Sequence, residues 1–120
     1  MKPSVRVLCV DDDPEVLSVT TELLEWKGYE VAAVTSGRAA VAQIGKQFDL
    51  VIVDYNLPDI NGDVVAEHWK REYPSVPILM VSGCLNLPPH ALDHVNAHLT
   101  KGGWIDSFLG AISELTKTAH

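Results

Sequence analysis

The sequence is poor in the residues that several classes of protein depend on. It has only two cysteines, Cys9 and Cys84, both in apolar surroundings and without metal-pair spacing. That pattern argues against a disulfide framework and fits buried free thiols in a reducing compartment. Basic residues are also scarce: nine Lys and Arg stand against sixteen Asp and Glu, a formal net charge of −7. A general nucleic-acid binder needs a basic surface for phosphate backbones, so that class is excluded. No apolar run is long enough to span a membrane. Met1-Lys2-Pro3-Ser4 leads into a short strand pattern and not a signal-peptide core, so the cytoplasm is the expected compartment. Repeats, linkers and low-complexity tracts are missing too. The 120 residues, 47% of them hydrophobic, suit a single domain, 1–120, with one core.

Strand-like and helix-like segments alternate along the chain. Residues 5–10 read as a buried strand, and Asp13-Pro14 as a helix start with Asp as N-cap. Val16, Val19, Leu23 and Leu24 form an apolar stripe at helical spacing, which Gly28 stops. Tyr29 to Val34 is a second strand, and Arg38 to about Lys46 a small-residue helix. Residues 50–54 form the third strand, and Asp63 to Tyr73 a helix with Val64, Val65, His68 and Trp69 on one side. Ile78 to Ser82 and Ala97 to Thr100 are the last strands, and Trp104 to Lys117 the last helix. Between them, Pro88-Pro89 allows only a short or irregular fourth helix. Apolar strands alternating with helices imply an α/β fold: a parallel five-stranded sheet covered on both faces. Ligand sites in such doubly wound sheets lie beyond the carboxyl ends of the strands.

Acidic and polar residues collect at those ends. The first strand runs into Asp11, Asp12 and Asp13, and the third closes on Asp54. Crowded carboxylates repel each other, and a divalent cation is the commonest reason to keep them together. Hard oxygen ligands with open positions suit Mg²⁺. At its strand end Asp54 is expected to face solvent and to act as a nucleophile toward phosphorus. Ser82 offers a hydroxyl to a phosphoryl oxygen, Gly83 leaves room for it, and Lys101 offers a point charge. Asp13 already serves as a helix cap and is set apart from this group.

Four motifs in order carry a family resemblance: Val10-Asp11-Asp12-Asp13, Asp54-Tyr55-Asn56-Leu57-Pro58-Asp59-Ile60-Asn61-Gly62, Met80-Val81-Ser82-Gly83, and Lys101. Together they resemble the CheY-like receiver domain of two-component response regulators, over essentially the whole chain. The resemblance implies a flavodoxin-like sheet of order 2-1-3-4-5, with Asp54 as phosphoacceptor. It implies Asp12 and Asp54 as side-chain ligands of Mg²⁺, Asp11 acting largely through water, and Asn56 giving its backbone carbonyl. Ser82 and Lys101 match the family's hydroxyl and lysine positions, and His98 the position of its aromatic switch residue. The phosphoryl donor it implies is a sensor histidine kinase or a histidine phosphotransfer protein. The receiver would catalyse only its own phosphorylation and dephosphorylation.

The chain departs from the family pattern twice. Gly102-Gly103, and not proline, follows Lys101. A cis bond without proline costs about 3 kcal/mol, so the lysine loop is expected to be trans or differently held. The segment between Ser82 and Lys101 is also short.

Other residues have plainer readings. His90, His94 and His98 sit four apart, but His98 falls in a strand and no acid or thiol completes a metal set, so surface histidines are expected. Trp26, Trp69 and Trp104 are expected to pack, with Trp104 beside the lysine loop. Cys84 would border the phosphate route or be buried.

The expected function is phosphorylation-dependent signalling by a stand-alone receiver, acting on a downstream protein by contact. One alternative is a phosphorylation-independent interaction module on the same fold. Another is a phosphatase of the haloacid dehalogenase type. That chemistry needs a second acid two residues after the nucleophile, where this chain has Asn56.

Overall fold

The computed structural model describes residues 5–83, 87–100 and 105–117. Five parallel strands, β1 (Arg6–Val10), β2 (Glu30–Val34), β3 (Leu50–Asp54), β4 (Ile78–Ser82) and β5 (Ala97–Thr100), form one sheet of order β2-β1-β3-β4-β5. Four helices are described: α1 (Pro14–Trp26), α2 (Gly37–Ala42), α3 (Gly62–Glu72) and α4 (Ile105–Lys117). The expected sheet order and three-layer arrangement are both present.

Alternation along the strands creates two cores. Leu8, Val10, Val51, Val53, Ile78 and Met80 pack against Ala40 of α2 and Val65, Ala66 and Trp69 of α3. Val7, Cys9, Leu50, Ile52, Leu79 and Val81 pack against Leu17 and Leu24 of α1 and Phe108 and Ile112 of α4. Strands β3 and β4 are buried at every position, as central strands flanked by helices on both faces must be.

Local chemistry sets several boundaries. The Asp13 carboxylate accepts from the amides of Glu15 (3.0 Å) and Val16 (3.5 Å), and Pro14 opens α1. Gly28 ends it at φ +97°, a conformation in which a Cβ is strained. Trp69 buries its ring against Phe48 at 6.1 Å and donates from Nε1 to the Ala40 carbonyl at 3.1 Å.

The structure corrects several expectations. α2 ends at Ala42, because Gly45 takes φ +106°, which no helix continues through. The phase of α1 differs from the expected stripe: Leu17 and Leu24 are buried, whereas Val19 is 67% exposed. Apolar residues lie on more than one side of this helix, and packing on the sheet selects the Leu17–Leu24 side. Trp26 does not pack into the core. It is 78% exposed, with the Lys27 ammonium 4.8 Å from its ring.

Between β4 and β5 the described residues form successive turns and no helix. Amides of Ala91, Asp93 and Val95 donate to the carbonyls of Pro88, His90 and Leu92. Neither Pro88 nor Pro89 can donate an amide, so no helix runs through that pair from the residues before it. Asn96 closes the segment onto β4: its amide donates to the Ile78 carbonyl (2.8 Å), and its side-chain oxygen accepts from the Ile78 amide (2.9 Å).

Candidate functional site

Chain direction places the site. All five strands run the same way, so Asp11 just beyond β1, Asp54 closing β3 and Ser82 closing β4 share one edge of the sheet. Asp11, Asp12 and Asp54 each bring a carboxylate oxygen to a common point, the three oxygens lying within 4.8 Å of one another. Asp11 and Asp54 are buried and Asp12 is exposed. Three acids this close, two of them out of water, form a strongly negative concavity, and the all-oxygen donor set suits a hard divalent cation such as Mg²⁺.

Main-chain amides hold two of these acids. The amide of Asp13 donates to Asp11 Oδ1 at 2.9 Å, and that of Asn56 to Asp54 Oδ1 at 3.3 Å. Asp54 is only 7% exposed, more enclosed than a strand-end residue was expected to be. It lines a pocket with Cys9, Asp11, Ile52, Val81 and Phe108, and the loop that follows doubles back so that the Gly62 amide donates to the Tyr55 carbonyl at 2.8 Å.

Beneath the acids lies a cavity of about 30 Å³, lined by Cys9, Asp11, Thr20, Ile52, Asp54 and Phe108 among others. Burial pushes the Cys9 thiol up to about 12, and the charge of Asp11 adds to it. Cys9 is therefore a neutral packing thiol below the site and not a nucleophile within it.

Ser82 is fully buried, as the last residue of β4. His98 lies half-buried in β5 opposite Met80, and its Nε2 has no hydrogen-bond partner among the described residues. His90 and His94 are exposed in the turn segment, so the three histidines share no helix face. Among the described residues, the Asp11–Asp12–Asp54 group is the one cluster able to hold a metal. Lys101, the Lys101-Gly102 bond, Cys84 and Trp104 lie outside the described residues.

One residue near the site was not singled out from sequence. Asp59 reaches from the β3–α3 loop to the start of α2, where its carboxylate accepts from the Gly37 and Arg38 amides, both at 2.8 Å. It also accepts from the Ile60 amide at 2.8 Å and lies 3.9 Å from Arg38 Nε. Desolvation pushes this carboxyl up, but the amides of Arg38, Ile60, Gly37 and Asp59 itself outweigh it and hold the group below the usual carboxylate value. No local pattern could have shown this, because its partners lie 21 and 22 residues upstream.

Sheet order and acid geometry define a doubly wound α/β fold with a carboxylate pocket suited to a metal. The model of the response regulator receiver domain matches residues 7–101, and the chain belongs to that family. It is 36% identical over 115 residues to the sensor protein GacS of Pseudomonas syringae, covering 91% of this chain and 12% of GacS. A CheY-like receiver domain from Methanospirillum hungatei is 27% identical, with TM-score 0.89 over 98% of this chain and 97% of that one. TrrA of Thermotoga maritima, solved with Mg²⁺ and BeF, is 24% identical, with TM-score 0.88 over 92% and 98%. A further TrrA structure, in complex with the histidine kinase ThkA, superposes with TM-score 0.84 over 92% and 97%. As a receiver domain, the chain is a signalling module and not an enzyme acting on a separate substrate.

Proposed function

We propose that the chain is a single receiver domain that takes a phosphoryl group onto Asp54 from the phosphohistidine of a sensor histidine kinase or histidine phosphotransfer protein. The observation that carries this reading is the convergence of Asp11, Asp12 and Asp54 within 4.8 Å at the end of a parallel sheet. An Asp54 carboxylate oxygen attacks phosphorus; the new P–O bond forms as the P–N bond to the donor imidazole breaks. The side chains of Asp12 and Asp54, Asp11 through water, and the Asn56 main-chain carbonyl would hold Mg²⁺. Bound there, the ion supplies charge neutralisation for the phosphoryl oxygens. Ser82, closing β4, and Lys101, which follows the last residue of β5, donate to the phosphoryl group. His98 then answers the movement of Ser82 as the switch residue. Hydrolysis of the aspartyl phosphate resets the domain.

No helix among the described residues is long and apolar enough to cross a membrane, and the domain signals by contact with a partner protein. The TrrA–ThkA complex supports a kinase partner by analogy of fold. Incubation with Mg²⁺ and acetyl phosphate, followed by intact-mass measurement, tests the proposal. One phosphoryl adduct is expected on the wild type and none on Asp54→Asn. An unmodified wild type at every Mg²⁺ concentration would leave a phosphorylation-independent module. Turnover of simple phosphate esters would point to a phosphatase.

A further inference from the structure

The loop 55–61, between β3 and α3, carries Asn56 and is pinned at two points. At its base the Gly62 amide donates to the Tyr55 carbonyl at 2.8 Å. At its far side the Asp59 carboxylate takes the Gly37 and Arg38 amides at 2.8 Å each. Between these pins sit Asn56, the buried Leu57 and Pro58, whose ring fixes φ. The contact with α2 is also tight through the main chain: a Cβ on Gly37 would overlap the Ile60 side chain and come within 2.7 Å of the Ile60 carbonyl oxygen.

Helix capping alone does not account for Asp59. Helix α2 already has a capping residue, Ser36, whose Oγ accepts from the Ala39 amide at 3.1 Å and whose carbonyl accepts from Ala40. Asp59 adds a charged acceptor from another part of the chain, and charge-assisted bonds to main-chain amides are the strong kind. What it restrains beyond α2 is the loop it comes from.

We propose that Asp59 is a positioning residue for the metal site, clamping the 55–61 loop onto α2 so that the Asn56 main chain is held ready beside Asp54. The inference rests on the Mg²⁺ reading given above. It makes α2 part of the support of a site that none of its side chains enters. Groups that orient metal ligands without touching the metal matter at the level of about tenfold or more in affinity.

The test is Mg²⁺ affinity of the unphosphorylated protein, measured from amide NMR shifts of Asp11, Asp12, Asp54 and Asn56. Asp59→Ala is expected to weaken Mg²⁺ binding about tenfold. Asp59→Asn, which keeps one acceptor oxygen, should fall between it and the wild type. Gly37→Ala disturbs the same contact from the α2 side and should weaken Mg²⁺ comparably, so the inference stays testable if Asp59→Ala does not fold. The control is Asp49→Ala. Asp49 also accepts a main-chain amide, that of Arg6 at 2.9 Å, but at the opposite end of the sheet. It should lose stability with Mg²⁺ affinity unchanged. Hydrogen exchange at Gly37 and Arg38 should quicken in the Asp59 variants. Mg²⁺ affinity within about twofold of wild type in both Asp59→Ala and Gly37→Ala would overturn the role and leave Asp59 a helix cap. A wild type that shows no Mg²⁺ shifts at the acids would overturn the metal reading itself, and this inference with it.

Discussion

Gly62 lies directly against the main-chain carbonyl of Asp54: a Cβ at position 62 would overlap that oxygen and press on the Tyr55 Cα at 3.0 Å. The first residue of α3 is thus packed onto the residue that ends β3. Neither neighbour is a flexible side chain, so the strain cannot be relieved cheaply. Gly62→Ala is expected to cost about 1–3 kcal/mol of stability and to slow phosphorylation of Asp54. Urea unfolding midpoints and acetyl phosphate labelling check both effects. An unchanged midpoint would contradict the packing described.

The three clustered acids should oppose folding when no cation is present. Two unit charges 4.8 Å apart repel by about 1 kcal/mol even at the dielectric of water. Asp12 is the exposed member. Asp12→Asn is therefore expected to raise stability by about 1 kcal/mol in EDTA. In saturating Mg²⁺ the order should reverse, because the variant binds the ion more weakly. Thermal unfolding with and without Mg²⁺ gives the comparison, and a variant less stable than wild type in EDTA would refute it.

Cys9 gives a pH dependence of definite sign. Its thiol is held at about 12 in the fold against an ordinary value of 9.0. The folded state keeps this proton after the unfolded state has lost it. The contribution is whole below pH 9 and is lost as pH rises from 9 toward 12, an upper limit of about 4 kcal/mol. Cys9→Ala should flatten the fall of stability in that window, and an unchanged slope would rule out the assignment. In a Cys84→Ser background, Cys9 should resist iodoacetamide at pH 8 until the protein unfolds.

Two tryptophans of opposite burial should behave oppositely. Trp69 is fully buried and donates to Ala40, so Trp69→Ala is expected to cost about 3–5 kcal/mol. Trp26 is exposed, and Trp26→Ala should stay within about 0.5 kcal/mol of wild type. Denaturant midpoints for the pair test the exchange of roles between the expected and the observed Trp26.

That exchange shows where sequence reading stops. Asp13-Pro14, Gly28 and the buried runs of β3 and β4 were legible because each signal is local: a cap, a left-handed residue, a continuous apolar strand. The acids Asp11, Asp12 and Asp54 were legible because parallel strands deliver their carboxyl ends to one edge. The phase of α1 was not, since Val16, Leu17, Val19, Leu23 and Leu24 offer more than one apolar side and only the sheet decides between Leu17 and Val19. The clamp of Asp59 on Gly37 joins residues that no periodicity connects. The enclosure of Asp54 depended likewise on neighbours brought in from other elements, such as Cys9, Val81 and Phe108, which its own strand does not name.

The strand order also decides which pairing brings the acids together. β1 pairs with both β2 and β3, and Asp11 and Asp54 come together only once the β1–β3 register, Val7 with Leu50 through Val10 with Val53, has closed. That closure joins distant parts of the chain and is intrinsically slow. The repulsion between the acids falls on the same step. The carboxylates that make the site thus oppose the very pairing that brings them together, and a divalent cation bound among them would offset that opposition.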